Sequence, residues 1–223
     1  MSTPVEAATG DYVILLHGIA RTSAVMGKMQ KDFERHGYKV LNIDYSSRKY
    51  TIRELADKIH PQIEKFIADK TKPVHFVGHS MGGLVIRAYV ARHPPENMGR
   101  VVFLGPPSHG SEVADFLKNW FLYKGFYGPA GQELTTGRDY DALLGKVSYD
   151  LGIIAGDRSL DPVSSLLISG DNDGKVSVES TKLAAMKDHI VIHATHTFMM
   201  KNADVIRQTR YFIEHGAFKK QPS

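Results

Sequence analysis

Val74-His75-Phe76-Val77 runs straight into Gly78-His79-Ser80-Met81-Gly82-Gly83, and Leu84-Val85-Ile86-Arg87-Ala88-Tyr89-Val90-Ala91 follows without a break. The opening four residues read as a buried strand. The closing eight are apolar almost all round, which suits a buried helix. Between them stands a serine in a Gly-x-Ser-x-Gly setting. That pattern arises by chance in roughly one chain of this length in ten, so its weight comes from its place between strand and helix. A serine at a sharp strand-to-helix turn needs small neighbours, because the backbone is strained and the two elements pack closely. Gly78, Gly82 and Gly83 supply them. Such a turn lifts the Ser80 hydroxyl above the carboxyl edge of a sheet, beside the positive end of the helix. Ser80 is therefore the candidate nucleophile; the alternative is a glycine-rich turn with an incidental serine.

Outward from this turn the chain alternates strand and helix. Tyr12 to Leu16 is a continuous apolar run ending at His17-Gly18. Met26, Met29 and Phe33 fall at i, i+3 and i+7, the spacing of one helical face, and Gly37 stops that helix. Tyr38 to Ile43 reads as a strand. Thr51 with Glu54 forms a capping-box signature ahead of Leu55, Ile59, Ile63 and Phe66, with Pro61 expected to kink or shift the helix. Val101 to Leu104, Tyr149 to Ala155 and Ile190 to His193 complete six strands. A helix follows Ser177, and the last runs from about Asn202 to His215. Strands that are continuously apolar and separated by helices imply a mostly parallel sheet covered on both faces, the α/β class. No repeat, low-complexity tract or linker divides residues 1–223, so a single domain is expected.

Composition narrows the function classes. In 223 residues hydrophobic types make up 42%, ordinary for a folded globular chain. The apolar runs, such as Val13 to Leu16, fall far short of the roughly 20 residues that cross a bilayer. Met1 to Gly10 lacks a basic segment followed by an apolar one, so it does not read as a signal peptide. There is no cysteine, which excludes disulfides, thiolate metal sites and a cysteine nucleophile, and accords with the cytoplasmic location expected here. The formal net charge is +4, but the lysines and arginines are scattered among acids. They read as a solvated surface and not as a nucleic-acid patch. No spacing of His, Asp or Glu suggests a metal, and no cofactor is implied.

If Ser80 attacks a carbonyl, fixed donors must meet the negative charge that develops on its oxygen, each worth roughly 3 kcal/mol. One is expected from the backbone N–H of Met81, the residue after the nucleophile. The other is assigned to the Ile19 N–H, in the loop after the first strand, with Gly18 letting the chain turn. His17 is read as bracing this loop and His79 as packing against the sheet. The general base should follow the last strand on a loop before the final helix. His196 fits; His193, held within the strand, is the rival. The acid that orients it is Asp157, Asp171 or Asp173, all consistent with the order Ser, Asp, His. Asp173 is preferred, because Gly174 lets the chain bend so that the preceding carboxylate faces the histidine.

With these residues in place the chain resembles a small bacterial lipase-like α/β hydrolase, of the lipase and inositol-deacylase-like groups. The stretches that carry the resemblance are His17-Gly18-Ile19, Gly78 to Gly83, Pro106-Pro107-Ser108-His109-Gly110-Ser111-Glu112 and Asn172-Asp173-Gly174-Lys175-Val176. It implies the α/β-hydrolase fold, a Ser80–His196–Asp173 set, and an esterase or lipase-like activity. An Asn-Asp-Gly-x-Val segment carries the acid in such lipases, which is the main support for Asp173. Related secreted lipases bind calcium through an aspartate two residues after the histidine. Phe198 stands there in this chain, so no calcium site is expected.

Phe116, Leu117, Trp120, Phe121, Leu122, Tyr123, Phe126 and Tyr127 lie close together after the fourth strand, where hydrolases of this fold insert a cap. The insertion is placed at about 111–150, with Trp120, Phe121 and Phe126 lining a pocket for an apolar acyl group; the alternative is a helix packed on the sheet. Tyr45-Ser46-Ser47-Arg48 falls at the carboxyl end of the second strand, beside the expected site. The expected partner is a small-molecule ester, and no protein partner is implied. The same machinery could serve a thioester, an amide or acyl transfer to an alcohol, since fold and triad do not choose the leaving group. A non-catalytic binding module is the remaining alternative.

Overall fold

The computed structural model describes residues 10–110, 128–137, 139–160 and 168–220. Six strands form one sheet in the order β2-β1-β3-β4-β5-β6. They are β1 (Tyr12–Leu16), β2 (Lys39–Ile43), β3 (Val74–His79), β4 (Met98–Leu104), β5 (Leu151–Gly156) and β6 (Asp188–Ile192). Every neighbouring pair is parallel. Four main helices cover it: α1 (Gly27–Arg35), α2 (Ile52–Phe66), α3 (Met81–Arg92) and α4 (Ala203–His215).

The continuous apolar strands are explained by burial on both faces. Along β1, Tyr12, Ile14 and Leu16 enter one core cluster with Leu55, Ile59 and Ile63 of α2 and Leu84 and Ile86 of α3. Val13 and Leu15 enter the other, with Met29 and Phe33 of α1 and Val205 and Phe212 of α4. β4 divides in the same way, Val101 and Phe103 to one side, Val102 and Leu104 to the other. A period of two with apolar residues at both phases produces the unbroken runs.

Element boundaries move at the less apolar ends. β4 begins at Met98 and not Val101, and β6 covers Asp188–Ile192, earlier than Ile190 to His193. Pro61 lies inside α2 without ending it. The helix after Ser177 is a single short turn, Val178–Thr181. The capping box of α2 is formed in full: Glu54 N–H donates to Thr51 Oγ1, and Thr51 N–H donates to the Glu54 carboxylate.

Residues 128–137 and 139–150, the described part of the expected cap, are tied into the core. Ala130, Leu134, Tyr140 and Leu144 are buried in the cluster around α2 and α3. The buried guanidinium of Arg87 on α3 pairs with Asp141 and donates from Nε to the Gly145 carbonyl at 2.7 Å. Residues 111–127, with Trp120, Phe121 and Phe126, lie outside the described residues.

The strand order places the site. The chain moves from β1 outward to β2, then returns to the other side of β1 with β3. At such a switch point the loops leaving two adjacent strands diverge and open a crevice at their carboxyl ends. The loop after β1 and the turn after β3 face each other there.

Candidate active site

Ser80 sits between β3 and α3 with φ 54° and ψ −126°. Only two described non-glycine residues have positive φ, and Ser80 is one of them. Holding a side chain in that region costs about 1–3 kcal/mol, met by the surrounding packing. The glycines around it are required by space. A Cβ at Gly78 would lie 2.5 Å from the Gly83 nitrogen, and one at Gly82 would lie 2.5 Å from the Leu16 carbonyl oxygen. α3 therefore approaches the ends of β1 and β3 at backbone contact distance. The Ser80 N–H donates to the Leu104 carbonyl at 2.8 Å, which ties the turn to β4.

His196 lies on the loop after β6, and its Nε2 is 3.0 Å from Ser80 Oγ. Its Nδ1 is 2.7 Å from Asp173 Oδ2. A carboxylate oxygen only accepts, so Nδ1 carries the hydrogen and Nε2 is left to accept from the serine hydroxyl. Asp173 is 2% exposed, and its Oδ1 accepts from the N–H groups of Lys175 (3.0 Å) and Val176 (2.9 Å). Gly174, at φ +93°, makes the bend that folds those amides back onto the carboxylate. The carboxylate is thus fixed at both oxygens.

The rival base His193 and the candidate acid Asp157 pair with each other elsewhere. His193 Nδ1 is 3.0 Å from Asp157 Oδ1, with the His193 side chain 72% exposed. They form a surface ion pair whenever the histidine is protonated, worth little to stability. Asp171 contributes its carbonyl, which accepts from the Val178 N–H.

The expected donors to an oxyanion border Ser80. Met81 opens α3, so its N–H is among those a helix leaves without an intrahelical partner. A Cβ at Gly18 would come within 3.2 Å of Ser80 Cβ, which sets the loop carrying Ile19 against Ser80. His17 is buried at the head of this loop, and burial lowers its pKa below the usual 6.5.

Two residues at the site do more than the sequence suggested. His79 Nε2 donates to the His196 carbonyl at 2.9 Å, while its Nδ1 is buried without a partner. Burial holds its pKa well below 6.5, and the neighbouring His196 ring pushes the same way. His79 is thus a neutral support for the loop that carries His196, and not only sheet packing. Gly105, at φ +54°, leaves room for the Asp173–His196 pair. A Cβ there would stand 3.0 Å from Asp173 Oδ2 and 3.2 Å from His196 Nδ1. Its position at the end of a strand, next to Pro106, was the available signal. Phe198 is 52% exposed. Among the described residues no group of three or more His, Asp or Glu is placed to hold a metal, and no helix is long and apolar enough to cross a membrane.

Known proteins share this architecture. A triacylglycerol lipase of Pseudarthrobacter phenanthrenivorans is 33% identical over 123 residues, covering 51% of this chain and 38% of that protein. One from Burkholderia plantarii is also 33% identical over 123 residues, covering 51% and 34% respectively. The matched region thus spans little more than a third of these curated relatives. The crystal structure of the mature form of a Bacillus licheniformis lipase superposes with TM-score 0.74 at 20% identity, covering 95% of this chain and 92% of that one. The family model of the alpha/beta hydrolase fold matches residues 11–220. That match takes in all six strands and all three residues of the Ser80–His196–Asp173 line, and the chain belongs to the alpha/beta hydrolase fold family.

Proposed function

We propose that this chain is a serine hydrolase of carboxylic esters, esterase or lipase-like, working through an acyl-enzyme intermediate. The observation that carries the reading is the continuous line from Ser80 Oγ through His196 to Asp173, at 3.0 and 2.7 Å, on a strained turn beside a helix N-terminus. Ser80 attacks the ester carbonyl carbon while His196 Nε2 takes its proton. Asp173 keeps the hydrogen on Nδ1 and stabilises the imidazolium that forms. Negative charge moves to the former carbonyl oxygen, where the N–H groups of Ile19 and Met81 receive it. His196 returns its proton to the departing alkoxide, leaving an acyl group on Ser80. Water, activated by the same histidine, then releases the carboxylic acid. The naming of the curated relatives as triacylglycerol lipases supports an ester as the substrate. The aromatic run that includes Trp120, Phe121 and Phe126 supports an apolar acyl group.

The test is the intact mass after exposure to a fluorophosphonate, for wild type and Ser80→Ala. A single adduct on wild type and none on the variant is the expected result. A folded wild type that takes no adduct overturns the reading and favours a binding role.

A further inference from the structure

The loop after β2 reaches across to the loop that carries Ile19. Ser47 is 4% exposed, although Asp44, Ser46, Arg48 and Lys49 around it are all exposed. Its Oγ accepts the Ala20 N–H at 3.0 Å. Ala20 is the second of the two described non-glycine residues with positive φ, at 55°. An alanine has no side-chain hydrogen bond of its own with which to hold that conformation, so the hold must come from outside.

Tyr45 secures the other end of the same segment. Its ring stacks on His17 with centroids 4.2 Å apart and planes 18° apart, and its hydroxyl donates to the His17 carbonyl. The Tyr45 N–H points to His17 Nε2 at 3.4 Å. His17 Nδ1 donates to the Gly18 carbonyl at 2.8 Å, which leaves Nε2 as the acceptor. The four residues His17 to Ala20 are therefore gripped at their first member by Tyr45 and at their last by Ser47. Ile19 lies between the two grips.

We propose that Ser47 and Tyr45 are positioning residues for the oxyanion donor. They keep Ala20 left-handed, and so aim the Ile19 N–H at the point where negative charge develops in the transition state. This rests on the reading of the chain as a serine hydrolase with Ile19 as one donor. Donors of this kind act by being fixed before the reaction. A loop released from Ser47 would still bind the ester but would meet the tetrahedral oxygen poorly.

Ser47→Ala, Ser47→Thr and Tyr45→Phe should be compared with wild type for kcat and KM on a chromogenic short-chain ester. Affinity for an alkyl boronic acid, which forms a tetrahedral adduct with an activated serine, should be measured on the same proteins. Ser47→Ala is expected to lower kcat at least about 10-fold with KM within two-fold, and to weaken the boronic acid by a similar factor. Tyr45→Phe should do the same more weakly, and Ser47→Thr, which keeps the hydroxyl, should restore most of kcat. A purely structural role would lower the melting temperature without separating kcat from KM. Wild-type kcat in Ser47→Ala, or a rise in KM alone, overturns the proposal. If the wild type itself takes no fluorophosphonate at Ser80, the hydrolase reading fails first, whatever the variants do.

Discussion

Asp173 holds His196 twice. Its Oδ2 accepts from the ring at 2.7 Å, and its backbone carbonyl accepts the His196 N–H at 3.0 Å. Ring and main chain of His196 are thus referred to one residue, and a substitution can break one tie while leaving the other. Asp173→Asn keeps an oxygen for the Lys175 and Val176 amides and leaves the backbone tie untouched. It puts an NH₂ group against Nδ1, which favours the wrong tautomer. Turnover should fall roughly 10³–10⁴-fold with little change in melting temperature. Asp157→Asn should leave turnover near wild type; the reverse pattern in steady-state kinetics would move the acid to Asp157.

Gly105→Ala should damage both stability and rate. Its φ of +54° costs a side chain about 1–2 kcal/mol, and the new methyl would press on Asp173 and His196. Urea denaturation should show the loss of stability, and kcat should fall although no atom of the acid–base pair is changed. A rate within two-fold of wild type would mean that the pair gives way without harm.

Acid should destabilise the fold through its buried histidines. His75 is held at about 4 by burial, against an ordinary 6.5, and the partly opposing Asp11 lies 3.7 Å away. Its Nδ1 accepts the Arg100 N–H at 2.8 Å, and a Cβ at Gly99 would meet that nitrogen at 2.5 Å. Between pH 6.5 and 4 the unfolded chain binds the proton that the folded one refuses, so stability falls as pH falls across that window. His17 and His79 shift in the same direction and add to the loss. Melting temperature should decline from pH 6.5 to pH 4, and His75→Asn should flatten part of the slope. A melting temperature constant across that range would count against neutral buried rings.

Thr51→Ala offers a control on a different part of the molecule. The capping box at the start of α2 joins Thr51 and Glu54, and α2 carries none of the Ser80, Asp173 and His196 set. Stability should fall by about 1 kcal/mol with kcat unchanged. A change in kcat would reveal that α2 bears on the site through its packing against α3.

Much of this was legible because apolar runs and glycine turns have strong local causes. The strand, Gly78 to Gly83 and the following helix together mark the turn that carries Ser80, since close backbone approach forces glycine at 78 and 82. His196 was singled out by its place between β6 and α4, and the structure sets its ring 3.0 Å from Ser80 Oγ. The partner of His196 did not separate as cleanly: Asp157, Asp171 and Asp173 all precede it, and only the fold shows that Asp157 turns to His193 and Asp173 to His196. The early start of β4 was hidden by Gly99, which is there to admit the His75 ring. β6 was displaced in register because it is an edge strand, only half-buried, with a weak apolar signal. Tyr45 to Arg48 could be placed beside the site by position alone, but the bond from the Ala20 N–H to Ser47, 27 residues away in sequence, had no signal there.

Left-handed backbone at Ala20 and Ser80 has a bearing on how the molecule can be engineered. Both positions store conformational strain, and both border the place where a carbonyl group would react. Selection for heat resistance alone, with no demand for turnover, rewards relief of such strain. Libraries screened in that way should therefore accumulate changes at 20 and 80 and yield hardier proteins that have lost their chemistry, whereas thermostable enzymes would have to be sought among substitutions distant from both.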